Sequence, residues 1–262
     1  MTSSPQDRLT DQQIDSFIEQ GFVRIDNAFS ASLAAQCRDE LWSAIGLSPD
    51  RPQDWAAPVI RVPSMASPVF VQAANTTRLH QAYDQLTGAG RWIAPQGLGS
   101  FPIRFPSKDA PGDDGWHVDM SFGDSTDFMD LRVNVTSTGR ALLMLFLFSD
   151  VGRDAAPTRI RTGSHRQIAR ELLPYGSAGA TLRQLSADGY ASTADCPEAL
   201  ATGAAGTVYL CHPFMVHAAQ PHRGTQPRFM AQPPLLPTAA FDPALPPSPV
   251  QIAIRQSCGL SA

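Results

Sequence analysis

Lysine is almost missing from this chain. Lys108 is the only one, so nearly all of the positive charge is arginine. Schiff-base and pyridoxal chemistry are thereby excluded unless Lys108 itself serves, and it sits in the polar, loop-like run Pro106-Ser107-Lys108-Asp109-Ala110-Pro111. Cysteine is sparse and scattered: Cys37, Cys196, Cys211 and Cys258 form none of the short pairs that zinc or redox sites use. Long apolar runs are absent too. The longest, Ala141 to Phe148, is far too short to cross a bilayer, and Met1 to Thr10 lacks the apolar core of a secretory signal. The expectation is a reduced cytoplasmic compartment with no membrane partner. Charged residues make up 17% of the chain and the formal net charge is −4, which gives no support for a nucleic-acid partner. No Gly-x-Ser-x-Gly elbow appears, which disfavours serine-hydrolase chemistry.

What is present is a core-forming composition, 43% hydrophobic over 262 residues, enough for one large domain. The first third reads helical. Thr10 and Gln13 make a capping box before Ile14, Phe17 and Ile18, and Gly21 is placed to end that helix. Val23 to Ile25 reads as a strand, Ser30 caps a helix carrying Leu33, Leu41, Trp42 and Ile45, and a further helix covers Thr77 to Leu86. From Phe101 the pattern becomes short β runs divided by Gly, Pro and Asp: 101–105, 116–120, 131–136, 141–149, 158–161, 207–211, 215–219 and 228–232, with helix around 167–173. Residues 178–202, rich in Ala and Gly, stay undecided. No repeat or linker divides the chain. The expected organisation is a single domain over 1–262, with 1–100 mainly helical, a β core over 101–232, and an extended, proline-rich tail over 233–262. Helices first and strands afterwards predict an α+β fold with a mainly β core, a jelly roll or sandwich with one open mouth.

The chemistry concentrates in Gly115-Trp116-His117-Val118-Asp119-Met120. Alternate side chains of an extended segment point the same way, so His117 and Asp119 can reach one ion without distorting the backbone. Two imidazoles and one carboxylate form the ligand set of non-heme iron sites that keep open positions. A third ligand must come from another strand, and His212 and His217 compete for it. They are five residues apart, and Pro213 makes strict alternation between them unreliable. Ligand chemistry alone leaves both open. Spacing favours His217, because Arg228 follows across a turn and its planar fork suits a carboxylate held beside the metal. His80, alone on a helix, reads as structural.

Residues 115–119, Thr162-Gly163-Ser164-His165-Arg166 and Gly206-Thr207-Val208-Tyr209-Leu210-Cys211-His212-Pro213, followed by His217 and Arg228, resemble the phytanoyl-CoA dioxygenase family. So do the opening segments Leu9-Thr10-Asp11-Gln12 and Gly21-Phe22-Val23, and the likeness runs over roughly residues 8 to 232. The resemblance implies a double-stranded β-helix and an iron(II)- and 2-oxoglutarate-dependent dioxygenase that uses O2, releases succinate and CO2, and hydroxylates an unactivated C–H bond of a small molecule. It implies His117, Asp119 and His217 as metal ligands and Arg228 as the 2-oxoglutarate arginine. Two departures stand out: Ala219 replaces the serine usual two residues after the last histidine, and the asparagine common near His222 is missing. Asn134, Thr136 or Arg104 are candidates to help hold the co-substrate in their place. Asp119 disfavours halogenation, since halogenating relatives carry Gly or Ala there. Arg104, Trp116, Met120, Phe122, Arg159 and Arg161 are the substrate-side candidates, and an arginine there favours a substrate carboxylate, as in an amino acid or a natural-product intermediate. The same three ligands would also serve a non-redox hydrolase or isomerase, or a non-catalytic binding protein.

Overall fold

A computed structural model describes residues 7–242 and 244–260 of the chain. In chain order come α1 (Asp11–Gln20), β1 (Phe22–Ile25), α2 (Ala31–Ile45), β2 (Val59–Val62), α3 (Pro68–Ala74), α4 (Thr77–Thr87) and β3 (Phe101–Arg104). Then follow β4 (Arg132–Val133), β5 (Leu142–Leu147), β6 (Arg159–Arg161), α5 (Ser164–Leu172), β7 (Ala180–Thr181) and α6 (Leu182–Leu185). The chain ends with β8 (Glu198–Leu200), β9 (Val208–Cys211), β10 (His217–Ala218), β11 (Met230–Ala231), β12 (Pro234–Leu235) and α7 (Pro249–Ser257). Local chemistry sets the helix ends. Gln13 N–H donates to Thr10 Oγ1 at 3.2 Å while Thr10 N–H donates to Gln13 Oε1 at 2.9 Å, and Gly21 closes α1 in the left-handed region at φ 87°.

Two antiparallel sheets matter for function. The larger runs β1-β9-β5-β11, with β12 also on β5; the smaller runs β10-β6-β8. β5 is buried along its whole length because both of its faces are covered. Leu142, Met144 and Phe146 join the core beneath the helices, with Phe29, Leu41 and Phe70. Leu143, Leu145 and Leu147 point the other way and pack with Tyr209, Cys211 and Met230 of the same sheet and with Ile160 of the smaller one. Ile160 therefore marks the face of the small sheet that looks into the space between the sheets.

Several expectations change. The strand expected over 116–120 contributes a single bridge, at His117, and the one over 131–136 shrinks to β4. The reason for the second is a turn: Asn134 Oδ1 accepts from Thr138 N–H at 3.0 Å, pulling the backbone off the strand path. The undecided stretch 178–202 supplies β7, α6 and β8, while β2 and α3 were not foreseen. The tail is extended only in part. β12 pairs with β5, and α7 then begins at a Ser248–Gln251 capping box with Pro249 in the first turn, burying Val250, Ala253 and Ile254.

Candidate metal centre

His117 and His217 face each other across an antiparallel bridge: His117 N–H donates to His217 O at 2.9 Å and His217 N–H to His117 O at 3.0 Å. Directly opposed residues project to the same side of a sheet. His217 is also paired with Ile160, so both imidazoles enter the space between the sheets. Each ring has its Nδ1 on a carbonyl two residues back, Gly115 O at 2.9 Å for His117 and Met215 O at 3.1 Å for His217. A carbonyl only accepts, so Nδ1 carries the proton and Nε2 keeps a free lone pair. Nε2 of His217 is buried without a partner. Asp119 Oδ1 lies 3.9 Å from both Nε2 atoms, and the three ligand atoms fall within 4.8 Å of one another. A buried acceptor with no donor, a second acceptor beside it and a carboxylate fit a divalent cation, about 2.0–2.2 Å from each ligand when bound. The His117 side chain is 42% exposed and that of His217 1%, so the centre opens on the His117 side.

Charge holds the carboxylate ready. Burial alone would raise the Asp119 pKa, but Arg140, His217 and His117 outweigh it and keep the group below its usual value. Arg140 is itself buried; its Nη1 sits 3.3 Å from Asp119 Oδ2 and its Nε donates to Met120 O at 3.1 Å. Oδ2 is thus on Arg140, and Oδ1 is turned to the histidines. Burial, chiefly, and then His117 lower the His217 pKa to about 4, so the ring is neutral at physiological pH. No feature of the sequence around Arg140 marked it for this place.

Residues 17–230 match the profile of the phytanoyl-CoA dioxygenase (PhyH) family. The chain belongs to the phytanoyl-CoA dioxygenase family. No curated protein sequence matches it. Among solved structures it is similar to SnoK, a non-heme α-ketoglutarate-dependent carbocyclase from nogalamycin biosynthesis, at 15% identity and a TM-score of 0.62, covering 93% of this chain and 91% of that one. It is similar to HygX from Streptomyces hygroscopicus with nickel and 2-oxoglutarate bound, at 17% identity, 86% of each chain and a TM-score of 0.56. The apo form of EctD from S. alaskensis shares 19% identity over 91% of this chain and 80% of that one, with a TM-score of 0.53. At these identities the likeness is one of fold.

The other sequence candidates of this family member fall into four groups. Arg228 and Arg104 lie opposite each other on a bridge just before β11 and at the end of β3, both almost fully buried. Asn134 and Thr136 sit in the turn that follows β4. Asn134 donates to Thr138 Oγ1 at 3.1 Å and Ser177 O at 2.8 Å, so its amide is engaged in a turn. Thr136 lines an apolar groove with Val135, Leu173, Phe241 and Ile254. Trp116, Arg159 and Arg161 do come together, but by stacking: the guanidinium carbons sit 4.5 and 4.2 Å from the indole centroid. Arg159 and Arg161 flank Ile160 in β6, and Trp116 precedes His117, so alternation puts this stack on the side of the small sheet away from the imidazoles. Their hydrogens go to Ala219 O, Asp114 O, Tyr190 O and Thr193 Oγ1. Met120 packs on the main core and Phe122 bridges Arg132. His212, the rejected ligand, is fully engaged: its Nδ1 accepts from Phe214 N–H at 3.2 Å and its Nε2 donates to Val250 O at 3.3 Å. No helix among the described residues is long and apolar enough to cross a membrane.

Proposed function

We propose that this protein is an iron(II)- and 2-oxoglutarate-dependent dioxygenase that hydroxylates an unactivated C–H bond of a small organic molecule, with release of succinate and CO2. Its two facing sheets would be the double-stranded β-helix of that enzyme class, and residues 1–262 one oxygenase domain. The observation that carries the proposal is the set His117, Asp119 and His217, with unpartnered lone pairs turned into an inter-sheet space that also receives two buried arginines. When bound, iron would supply the oxygen-activating redox chemistry that no side chain here can perform.

The chain's own share is placement. The Gly115 and Met215 carbonyls fix both imidazole tautomers, and Arg140 fixes which oxygen Asp119 presents. Arg228 offers its guanidinium to the far carboxylate of the co-substrate. Leu143, Leu145, Leu147, Ile160 and Met230 keep the space behind the centre dry. The substrate would approach from the exposed side of His117, and its identity as a carboxylate-bearing amino acid or natural-product intermediate follows the sequence-based expectation. Hydroxylation is favoured by the carboxylate at Asp119, although SnoK, similar in fold, is a carbocyclase, so a cyclising oxidation is the second outcome to look for.

Protein supplied with iron(II), 2-oxoglutarate and O2 is expected to form succinate, and His117→Ala to abolish it. Succinate no higher than in the variant, across a panel of amino acids and natural-product carboxylates, would overturn the proposal and return the centre to a non-redox or purely binding role.

A further inference from the structure

Two guanidiniums face the inside of this molecule with too few partners. Arg104 N–H donates to Arg228 O at 3.1 Å and Arg228 N–H to Arg104 O at 2.8 Å, so the two residues are directly opposed and their side chains leave the backbone on the same side. That side is the inter-sheet space. Arg228 is in step with Met230, which packs against Leu145, Cys211 and Ile160, whereas Phe229 and Ala231 belong to the core under the helices. On the other strand Ile103 and Phe105 take the helix side, leaving Arg104 to the interior. The arginines and the imidazoles of His117 and His217 thus share one compartment.

Exposure is 2% for Arg104 and 1% for Arg228, and like charges directly opposite on a sheet repel. Among the described residues the one carboxylate bonded to this pair is Asp113, which accepts from Arg104 Nη2 at 2.7 Å and is shared with Arg61. Arg228 is pinned by backbone carbonyls, its Nη1 on Ala156 O at 2.5 Å and its Nη2 on Pro102 O at 3.0 Å. Nε of Arg228, and both Nε and Nη1 of Arg104, remain buried with no partner. His222 adds a fourth such group. Gly224 N–H donates to its Nδ1 at 3.1 Å, which puts the ring proton on Nε2, and that atom is also buried and unpartnered. Burial first, and then Arg228 and Arg104, lower the His222 pKa, against a backbone hydrogen bond with Gln226 that raises it. Every open position in this cluster is a donor, and one carboxylate cannot balance two buried guanidiniums.

We propose that Arg104 is a second co-substrate arginine: with Arg228 opposite it and the His222 imidazole at the edge, it holds the distal carboxylate of 2-oxoglutarate in a two-guanidinium cradle. This rests on the oxygenase function proposed above. Arg228 alone has its two terminal nitrogens on carbonyls, and Ala219, two residues beyond His217, has no hydroxyl to help. Arg104 supplies the missing donors, and Asp113, four residues before His117, orients it through Nη2.

The test uses nickel-loaded, full-length protein and calorimetric titration with two 2-oxo acids: 2-oxoglutarate, and 2-oxobutyrate, which keeps the chelating end and lacks the distal carboxylate. Arg104→Met is expected to weaken 2-oxoglutarate by about tenfold or more and to leave 2-oxobutyrate within about twofold. If that variant does not fold, Arg104→Lys carries the same comparison, with a smaller loss for 2-oxoglutarate alone. Unchanged 2-oxoglutarate affinity in the variant that folds, or equal weakening of both acids, would overturn the role of Arg104 while leaving the oxygenase proposal intact. If the unsubstituted protein binds 2-oxobutyrate and 2-oxoglutarate equally, the cradle falls. If it binds neither, the oxygenase proposal falls and takes the cradle with it.

Discussion

At the scale of single residues, the centre depends on which atoms are already engaged. His117 and His217 qualify as candidate ligands because their Nδ1 atoms are held on carbonyls, and His212 does not because both of its nitrogens have partners. The i, i+2 pair His117 and Asp119 was legible from spacing alone, since a local rule governs where alternate side chains point. Arg140 was not, because 21 residues and a turn separate it from Asp119 and only the fold brings its guanidinium to Oδ2. Removing it frees Asp119 to rotate. Arg140→Met is expected to weaken nickel(II) or zinc(II) binding by roughly tenfold or more, measured by competition with a chelating dye. An affinity equal to that of the unsubstituted protein would show that Asp119 needs no support.

Between elements, a second histidine pair fastens α1, α5 and α7 together at one end of the molecule. His165 on α5 donates from Nε2 to Ile18 O of α1 at 3.1 Å, His212 reaches Val250 O of α7, and the two rings lie 4.8 Å apart. Gly21 passes so close to His165 and Met215 that no side chain fits there, and its φ of 87° favours glycine as well. Burial lowers the His165 pKa to about 4 and holds His212 well below its ordinary value. The unfolded chain binds these protons near pH 6.5 while the folded one refuses them. Stability therefore stays full above about pH 6.5 and falls as the pH drops toward 4, by on the order of 3 kcal/mol for His165 alone. Urea midpoints between pH 7 and 4.5 should show this slope, and His165→Asn should flatten it; a parallel slope in the variant would assign the acid sensitivity elsewhere. The cap of α7 makes a second case: Ser248→Ala is expected to cost about 1 kcal/mol, read as a lower urea midpoint at constant m-value. Helix ends such as Thr10–Gln13 could be read from sequence because a cap is a four-residue event. β2 and β12 could not, because short segments become strands through what they pack on, and the equally local Ser248–Gln251 cap of α7 was hidden by the prolines around it, which read as extended chain.

For the molecule as a whole, metal binding at the proposed centre would be linked to folding. The three candidate ligands come from a loop before β4 and from β10, segments about a hundred residues apart, so only the folded chain offers all three together. An ion that binds the native state alone stabilises it by about 2.7 kcal/mol at one hundred times its dissociation constant. Nickel(II) should therefore raise the thermal midpoint of the protein and leave that of His217→Ala unmoved; equal shifts would place the ion at another site. The sequence by itself determined the caps of α1 and α2, several of the β segments and the closely spaced His117 and Asp119, because each follows from neighbours a few residues apart. The tertiary structure decided that His217 rather than His212 lies beside His117 and Asp119, that Arg159 and Arg161 stack on Trp116, and that Arg104 turns inward beside Arg228. Those outcomes depend on which face of a strand meets which sheet, a relation between distant segments that no local pattern encodes.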